Sequence, residues 1–366
     1  MKKQMKLKEQ EQEILKYCIK NNLIKENGFI QDHINNLNLK PKNNLLSGKR
    51  KSWNDVRDSL ITPDFVPFRR YYVNNISANG GVGKSFLTLQ TSILHILNEK
   101  YEYDRNVNVL FWSSEDMFED IADRFYMICN DVLKLSKNDI DFINERLTIL
   151  DGDSEIFSFI EGEKNFKKIS NNFKTFKNAC SNFDLIILDP LLAFYSNSEL
   201  DENNNSEAKM FMFLLTNWCF ETKKTIIVVS HSAKGSVNVR GAQSFLDAFR
   251  FSISLHKFEE PLVDSNGDVV KDLRTNEIIY QEMPDKSHMR EVRILKDNSN
   301  ISEFIKINKE QFNLSYTNNF KIFEIQVFPV HKIQEEINYK IPEKRFVSPR
   351  RIEDIQSRLE ITSVYN

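Results

Sequence analysis

Three of the ten glycines in this 366-residue chain, Gly80, Gly81 and Gly83, fall within four positions and run directly into Lys84 and Ser85. They stand between an apolar run that ends near Ile76 and a helical pattern that begins near Phe86. A chain this poor in glycine concentrates it only where the backbone must curl. The chemistry that needs such a curl is anion binding. Successive backbone N–H groups turn inward, the following helix adds its N-terminal dipole, a lysine supplies a point charge and a Ser hydroxyl ligates a divalent cation. Ala78-Asn79-Gly80-Gly81-Val82-Gly83-Lys84-Ser85 is therefore read as a phosphate-binding loop for ATP, with Lys84 on the β/γ oxygens and Ser85 on Mg2+. Ala78 stands where the usual pattern has its first Gly, and Ala would resist a positive φ there.

Such a loop needs a carboxylate on the cation side. Phe183-Asp184-Leu185-Ile186-Ile187-Leu188-Asp189 supplies four consecutive apolar residues followed by Asp189, the pattern of a buried parallel strand that delivers its last side chain to the ligand edge of the sheet. Asp189 is read as the second metal-side residue with Ser85. Hydrolysis also needs a group that orients or deprotonates water. Glu115 and Asp116 follow the run Val107 to Trp112 and precede a helix. Acidic residues at that place also suit helix capping, and the reading gives catalysis to Glu115 and the cap to Asp116.

The elements that must position these groups follow from periodicity. Short apolar runs at Tyr71 to Ile76, Val107 to Trp112, Leu185 to Leu188 and Thr225 to Ser230 alternate with helical stretches at Phe86 to Leu97, Phe118 to Leu133 and Glu207 to Thr222. Strand and helix in alternation predict an α/β fold, a mainly parallel twisted sheet covered by helices on both faces. After residue 250, strands expected at Phe251 to His256, Arg290 to Leu295, Glu303 to Ile307 and Phe320 to Phe328 extend it in a partly antiparallel way. Residues 1–62 read as a helical appendage and linker, with a short helix near Trp53 to Leu60. Residues 63–310 form the main domain, and 311–366 form C-terminal strands and a tail with a helical stretch at Ile352 to Leu359.

Composition excludes less than the motifs assert. The formal net charge is -2, so the whole chain does not announce a nucleic-acid binder. The first sixty residues carry thirteen Lys/Arg against seven Asp/Glu, an excess of 13 − 7 = +6, and Lys340, Lys344, Arg345, Arg350 and Arg351 form a second cationic cluster. Such runs are solvated faces or phosphate contacts. Cys18, Cys129, Cys180 and Cys219 form no C-x-x-C pair, which argues against a disulfide framework or a zinc site and fits a cytoplasmic protein. No apolar run reaches the roughly eighteen residues of a membrane span, so no membrane partner is expected.

With these residues in place, the chain resembles the RecA-like P-loop ATPases, and within them the RepA-type hexameric replicative helicases of plasmids, over about Phe65 to Asn300. That family's phosphate loop tolerates a small residue other than Gly at its first position, which accommodates Ala78. Glu115 stands where the family carries its catalytic glutamate, and Asp189-Pro190-Leu191 with Phe194 is similar to its Walker B strand and the loop beyond. Ser230-His231-Ser232-Ala233-Lys234-Gly235 is similar to a His-His-x-x-Lys-Gly run that senses the γ-phosphate. Ser230 replaces the first His, leaving His231 for the role. Arg240-Gly241-Ala242-Gln243-Ser244, with Asp247 and Arg250, resembles a stretch whose arginine reaches a neighbouring subunit's nucleotide. Lys296-Asp297-Asn298 resembles a later cationic finger. In the loop from Ser232 to Gln243, Lys234 and Arg240 with Gly235 and Gly241 suit a phosphate chain.

The resemblance implies a homo-oligomer, six being the family's number, that hydrolyses ATP between subunits and moves on single-stranded DNA during replication of a plasmid or other mobile element. Two alternatives stand beside it. One is a RecA-like ATPase that serves as a switch or loader without unwinding, and the other is a non-hydrolysing nucleotide-binding module whose N-terminus recruits a partner.

Overall fold

The computed structural model describes residues 52–152, 160–161, 168–169, 171–195, 204–232, 243–264, 267–272, 274–308 and 321–330. The expected appendage over residues 1–51, the loop 233–242 and the stretch 352–359 lie outside these residues.

A compact unit begins at Trp53. Helix α1 (Trp53–Asp58) leads into a small antiparallel pair, β1 (Leu60–Ile61) and β2 (Phe68–Arg69). Leu60, Ile61, Val66 and Phe68 are fully buried in the main core. Strand β3 (Val73–Ala78) then enters the central sheet, and the glycine loop carries it into the twenty-residue helix α2 (Lys84–Tyr103). The alternation continues through β4 (Val109–Ser113), α3 (Phe118–Met127), α4 (Lys137–Asn144) and β5 (Leu147–Asp151). A minor pair, β6 (Ile160–Glu161) and β7 (Lys168–Ile169), precedes α5 (Asn171–Ala179), β8 (Leu185–Asp189), the short α6 (Leu191–Tyr195), α7 (Asn205–Thr222), β9 (Thr225–His231) and α8 (Gln243–Ala248). Strand β10 (Phe251–His256) is followed by a side pair, β11 (Glu259–Pro261) with β12 (Tyr280–Glu282), and then by β13 (Met289–Asp297), α9 (Ile301–Ile307) and β14 (Ile322–Gln326).

Eight strands form one sheet in the order β14-β13-β10-β3-β9-β8-β4-β5. The six from β10 to β5 are parallel, and β13 and β14 extend the edge antiparallel. Period-two alternation splits each central strand between two buried faces. Val109, Phe111, Ile187, Ile227 and Val229 meet α2, α3, α4 and α9 on one side. Leu110, Trp112, Ile186, Leu188, Ile226 and Val228 meet α5, α6, α7 and α8 on the other. The chain therefore folds as a P-loop NTPase core. Each buried Ile or Leu contributes about 1.5–3 kcal/mol.

Polar side chains also cross the sheet. The buried Ser230 hydroxyl donates to Asn75 Oδ1 at 2.7 Å, and Asn75 Nδ2 donates to the Ser252 hydroxyl at 2.9 Å. These bonds tie β9 to β3 and β3 to β10.

Two expected elements change type. Glu303 to Ile307 is not a strand but the core of α9. Asp297 accepts the N–H groups of Ser299, Ile301 and Ser302 at the helix start, and Ile301, Phe304 and Ile305, spaced i, i+3, i+4, bury one face. The helix expected from Phe118 to Leu133 stops being α-helical after Met127. Ile128 to Val132 winds as a π turn, closed by Leu133 N–H donating to Ile128 O at 2.8 Å.

Candidate functional site

The phosphate loop leaves β3 at Ala78 and enters α2 at Lys84, with Asn79, Gly80 and Gly81 exposed. Gly81 and Gly83 hold φ of 72° and 106°, values that an L side chain resists. Ala78 itself is the last residue of β3, paired in register with His231, so its backbone is extended and the expected strain at this position does not arise. No side chain caps the N-terminus of α2, in contrast to α4, where Ser136 accepts from Asp139 N–H, and α7, where Asn204 accepts from Ser206 and Glu207. The first amides of α2 and its dipole therefore face the loop cavity, a ready seat for an anion.

Lys84 is 8% exposed and donates to the carbonyls of Ala78 and Asn79, both at 3.1 Å. Burial pushes its ammonium down from the usual range, and the fields of Asp189 and Glu115 pull it back. Asp189 ends β8 opposite Ser113 of β4 and is 2% exposed. Burial raises its carboxyl to about 7, helped by Asp116 and Glu115 and opposed by the Ser85 hydroxyl and Lys84. Its Oδ2 is buried with no hydrogen-bond partner. An orphaned carboxylate oxygen beside a Ser hydroxyl, at the foot of an anion seat, is a donor set that fits Mg2+.

Beyond Lys84, Glu115 and His231 approach from separate strands. Glu115 follows β4, His231 ends β9, and the His231 Nε2 to Glu115 Oε1 distance is 3.4 Å. Both side chains are partly exposed. Ser230, the residue before, points into the sheet on Asn75, so His231 alone of the pair reaches Glu115. Asp116 does not cap the next helix as expected. Its carboxylate takes a bidentate pair from Arg124 at 2.5 and 2.9 Å, and the N–H of Phe118 at the start of α3 is accepted by Asp151 Oδ2 at 3.0 Å. Arg124, nearly two turns into α3, outcompetes a backbone amide for the charge.

Four strand ends thus bring together the loop residues Ala78 to Gly83 with Lys84 and Ser85, then Glu115, Asp189 and His231. Lys296 does not join them. Its ammonium donates to the carbonyls of Leu246 and Asp247 and so closes the C-terminal end of α8, while Asp297 is engaged at the start of α9. Arg240, Lys234, Gly235 and Gly241 lie outside the described residues. One contact had no signal in the sequence. Arg290 of β13 donates from Nε to the Val82 carbonyl of the loop at 2.8 Å.

Among the described residues, no group of His, Cys, Asp and Glu side chains forms a separate metal-binding cluster, and no helix is long and apolar enough to cross a membrane. A family model described as an AAA domain matches residues 54–237, half of the chain. That span covers the loop, Glu115, Asp189 and His231 and stops before β10. No curated protein matches the sequence.

Proposed function

Because the chain belongs to the AAA-domain family of P-loop ATPases, we propose that it is an ATP-dependent DNA motor, a ring-forming replicative helicase of a plasmid or other mobile element. The observation that supports hydrolysis is the Glu115–His231 pair, 3.4 Å apart and partly open to solvent, while the ring and the movement on DNA rest on the likeness of Lys234, Arg240 and Lys296 to the helicase family's cations. A carboxylate held by an imidazole near the phosphate loop can take a proton from water.

In this reading ATP places its β/γ-phosphates on the loop amides, and Lys84 exchanges the Ala78 and Asn79 carbonyls for phosphate oxygens. When bound, Mg2+ neutralises the developing charge on the phosphates, held by Ser85 and Asp189. Glu115 takes the proton of the attacking water, and His231 fixes the carboxylate and reports the γ-phosphate to β9. Arg240 or Lys296 of a neighbouring copy completes the site, and the loop from Ser232 to Gln243 follows single-stranded DNA through Lys234 and Arg240. Lys296 can serve only if it leaves the α8 carbonyls, which makes Arg240 the preferred finger.

The test is steady-state ATP hydrolysis with and without single-stranded DNA, comparing the natural chain with Lys84→Ala and Arg240→Ala, followed by strand displacement. Stimulation by DNA, lost in both variants and accompanied by unwinding, sustains the helicase. DNA-stimulated turnover without unwinding leaves a loader or switch. Intact ATP after long incubation removes the motor and leaves a binding module.

A further inference from the structure

We propose that Arg290 and Phe328 form a brace that sets the phosphate loop, so that nucleotide affinity depends on the antiparallel β13–β14 extension. This rests on the reading of Ala78 to Ser85 as the nucleotide seat. Both residues lie beyond the span that the family model matches.

The loop is otherwise weakly held. Its tip is exposed, two of its glycines occupy the left-handed region, and Lys84 secures only its first two carbonyls. At the other end Arg290 reaches past β10 to Val82. The guanidinium is 4% exposed and committed on every side, with Nη1 donating to Ser287 and Met289 carbonyls at 2.8 and 2.6 Å and Nη2 at 3.7 Å from Glu282. Its plane lies over the Phe328 ring at 4.7 Å. That ring touches Gly83: a Cβ there would stand 2.7 Å from Phe328 Cζ. The same ring packs on Phe86 of α2, with centroids 4.8 Å apart. Gln90, one turn further along α2, donates to Gln326 O at 3.3 Å. The N–H groups of Val327 and Phe328 both donate to His288 O, which keeps β14's end against β13's start.

A buried cation on a loop carbonyl and an aromatic ring against a glycine of positive φ fix the loop's curl before any anion arrives. Pre-organisation of this kind appears as affinity, because the ordering is already done in the free protein. Arg290 touches no phosphate in this account. It is a positioning residue, and by reciprocity a filled loop must hold β13 and β14 more firmly.

The experiment measures Mg-ATP affinity by calorimetry and KM and kcat by steady-state hydrolysis, for the natural chain and for Arg290→Gln, Arg290→Lys and Phe328→Leu. Amide exchange of Ile322 to Gln326 in the natural chain is followed with and without Mg-ATP. Arg290→Gln should weaken binding and raise KM about tenfold, the scale of a lost charge-assisted hydrogen bond, with kcat changed less than about threefold. Arg290→Lys should recover part of the loss, Phe328→Leu should raise KM by a smaller factor, and Mg-ATP should slow exchange in β14. Unchanged affinity in Arg290→Gln with a natural melting curve overturns the brace while the nucleotide reading stands. If Arg290→Gln does not fold, Phe328→Leu and the exchange data decide in its place: natural affinity in the first and no slowing in the second overturn the brace. A natural chain that binds no ATP removes both readings together.

Discussion

Asp189→Asn separates what the metal site needs from what the fold would prefer. In the metal-free chain, burial holds this carboxyl at about 7 against an ordinary 3.8. The folded chain therefore binds the proton more tightly than the unfolded chain does, and stability falls as pH rises between those two values. Above about pH 7 the ionised carboxylate carries its full desolvation penalty; below about pH 4 it carries none. Roughly 3 units at about 1.4 kcal/mol each give about 4 kcal/mol as an upper value. Asn keeps the shape and drops the charge, but it also removes an attractive partner of Lys84, so a net gain of about 1–3 kcal/mol is expected at about pH 8. Urea unfolding without nucleotide or Mg2+ reads it directly, and the gap between variant and natural chain should narrow by more than half at about pH 5. The same variant should lose Mg2+-dependent turnover. A variant no more stable than the natural chain at pH 8, or a gap indifferent to pH, would refute the raised carboxyl of buried Asp189.

Other outcomes follow from the same geometry. Glu115→Gln should lower kcat by about 10²–10⁴ while leaving the Kd for Mg-ATP within about threefold, measured by single-turnover hydrolysis and calorimetry. Ile187→Ala, at a fully buried position of β8, should cost about 2–5 kcal/mol in chemical denaturation, since neither face of the sheet can collapse into the gap. Asp297→Ala strips the acceptor from three amides at the start of α9 and should cost about 1–2 kcal/mol, with the added amide exchange confined to α9.

The site was legible where chemistry and local pattern coincide. Three glycines before Lys84 and Ser85, and an Asp at the end of an apolar run, each announce their position within a few residues of sequence. The parallel sheet was legible for the same reason, because Leu185 to Leu188 and Thr225 to Val229 are too apolar for anything but a doubly covered strand. What escaped depends on distant partners. Ile301, Phe304 and Ile305 fit a short strand or a single buried turn equally well, and Asp297 decides between them. Asp116 looked like a cap because Arg124 and Asp151, which divide the two tasks, cannot be paired from sequence. Arg290 gave no signal at all: its acceptor is a backbone carbonyl 208 positions earlier.

The hydrogen bonds that cross the middle of the sheet settle something its apolar residues leave open. The runs Ile226-Ile227-Val228-Val229 and Leu185-Ile186-Ile187-Leu188 are nearly uniform. Sliding β9 along β3 by two residues would keep every side chain on a buried face, and hydrophobicity alone would hardly notice. Ser230 and Asn75 would notice, since such a slide strands two polar groups in the core at about 1–3 kcal/mol each. They act as an index mark on an otherwise unmarked ruler. Because β9 is pinned to β3 by that mark, Ala78 and His231 finish level with each other, and the levelness of the strand ends is what lets a loop, a carboxylate and an imidazole meet over the same few ångströms.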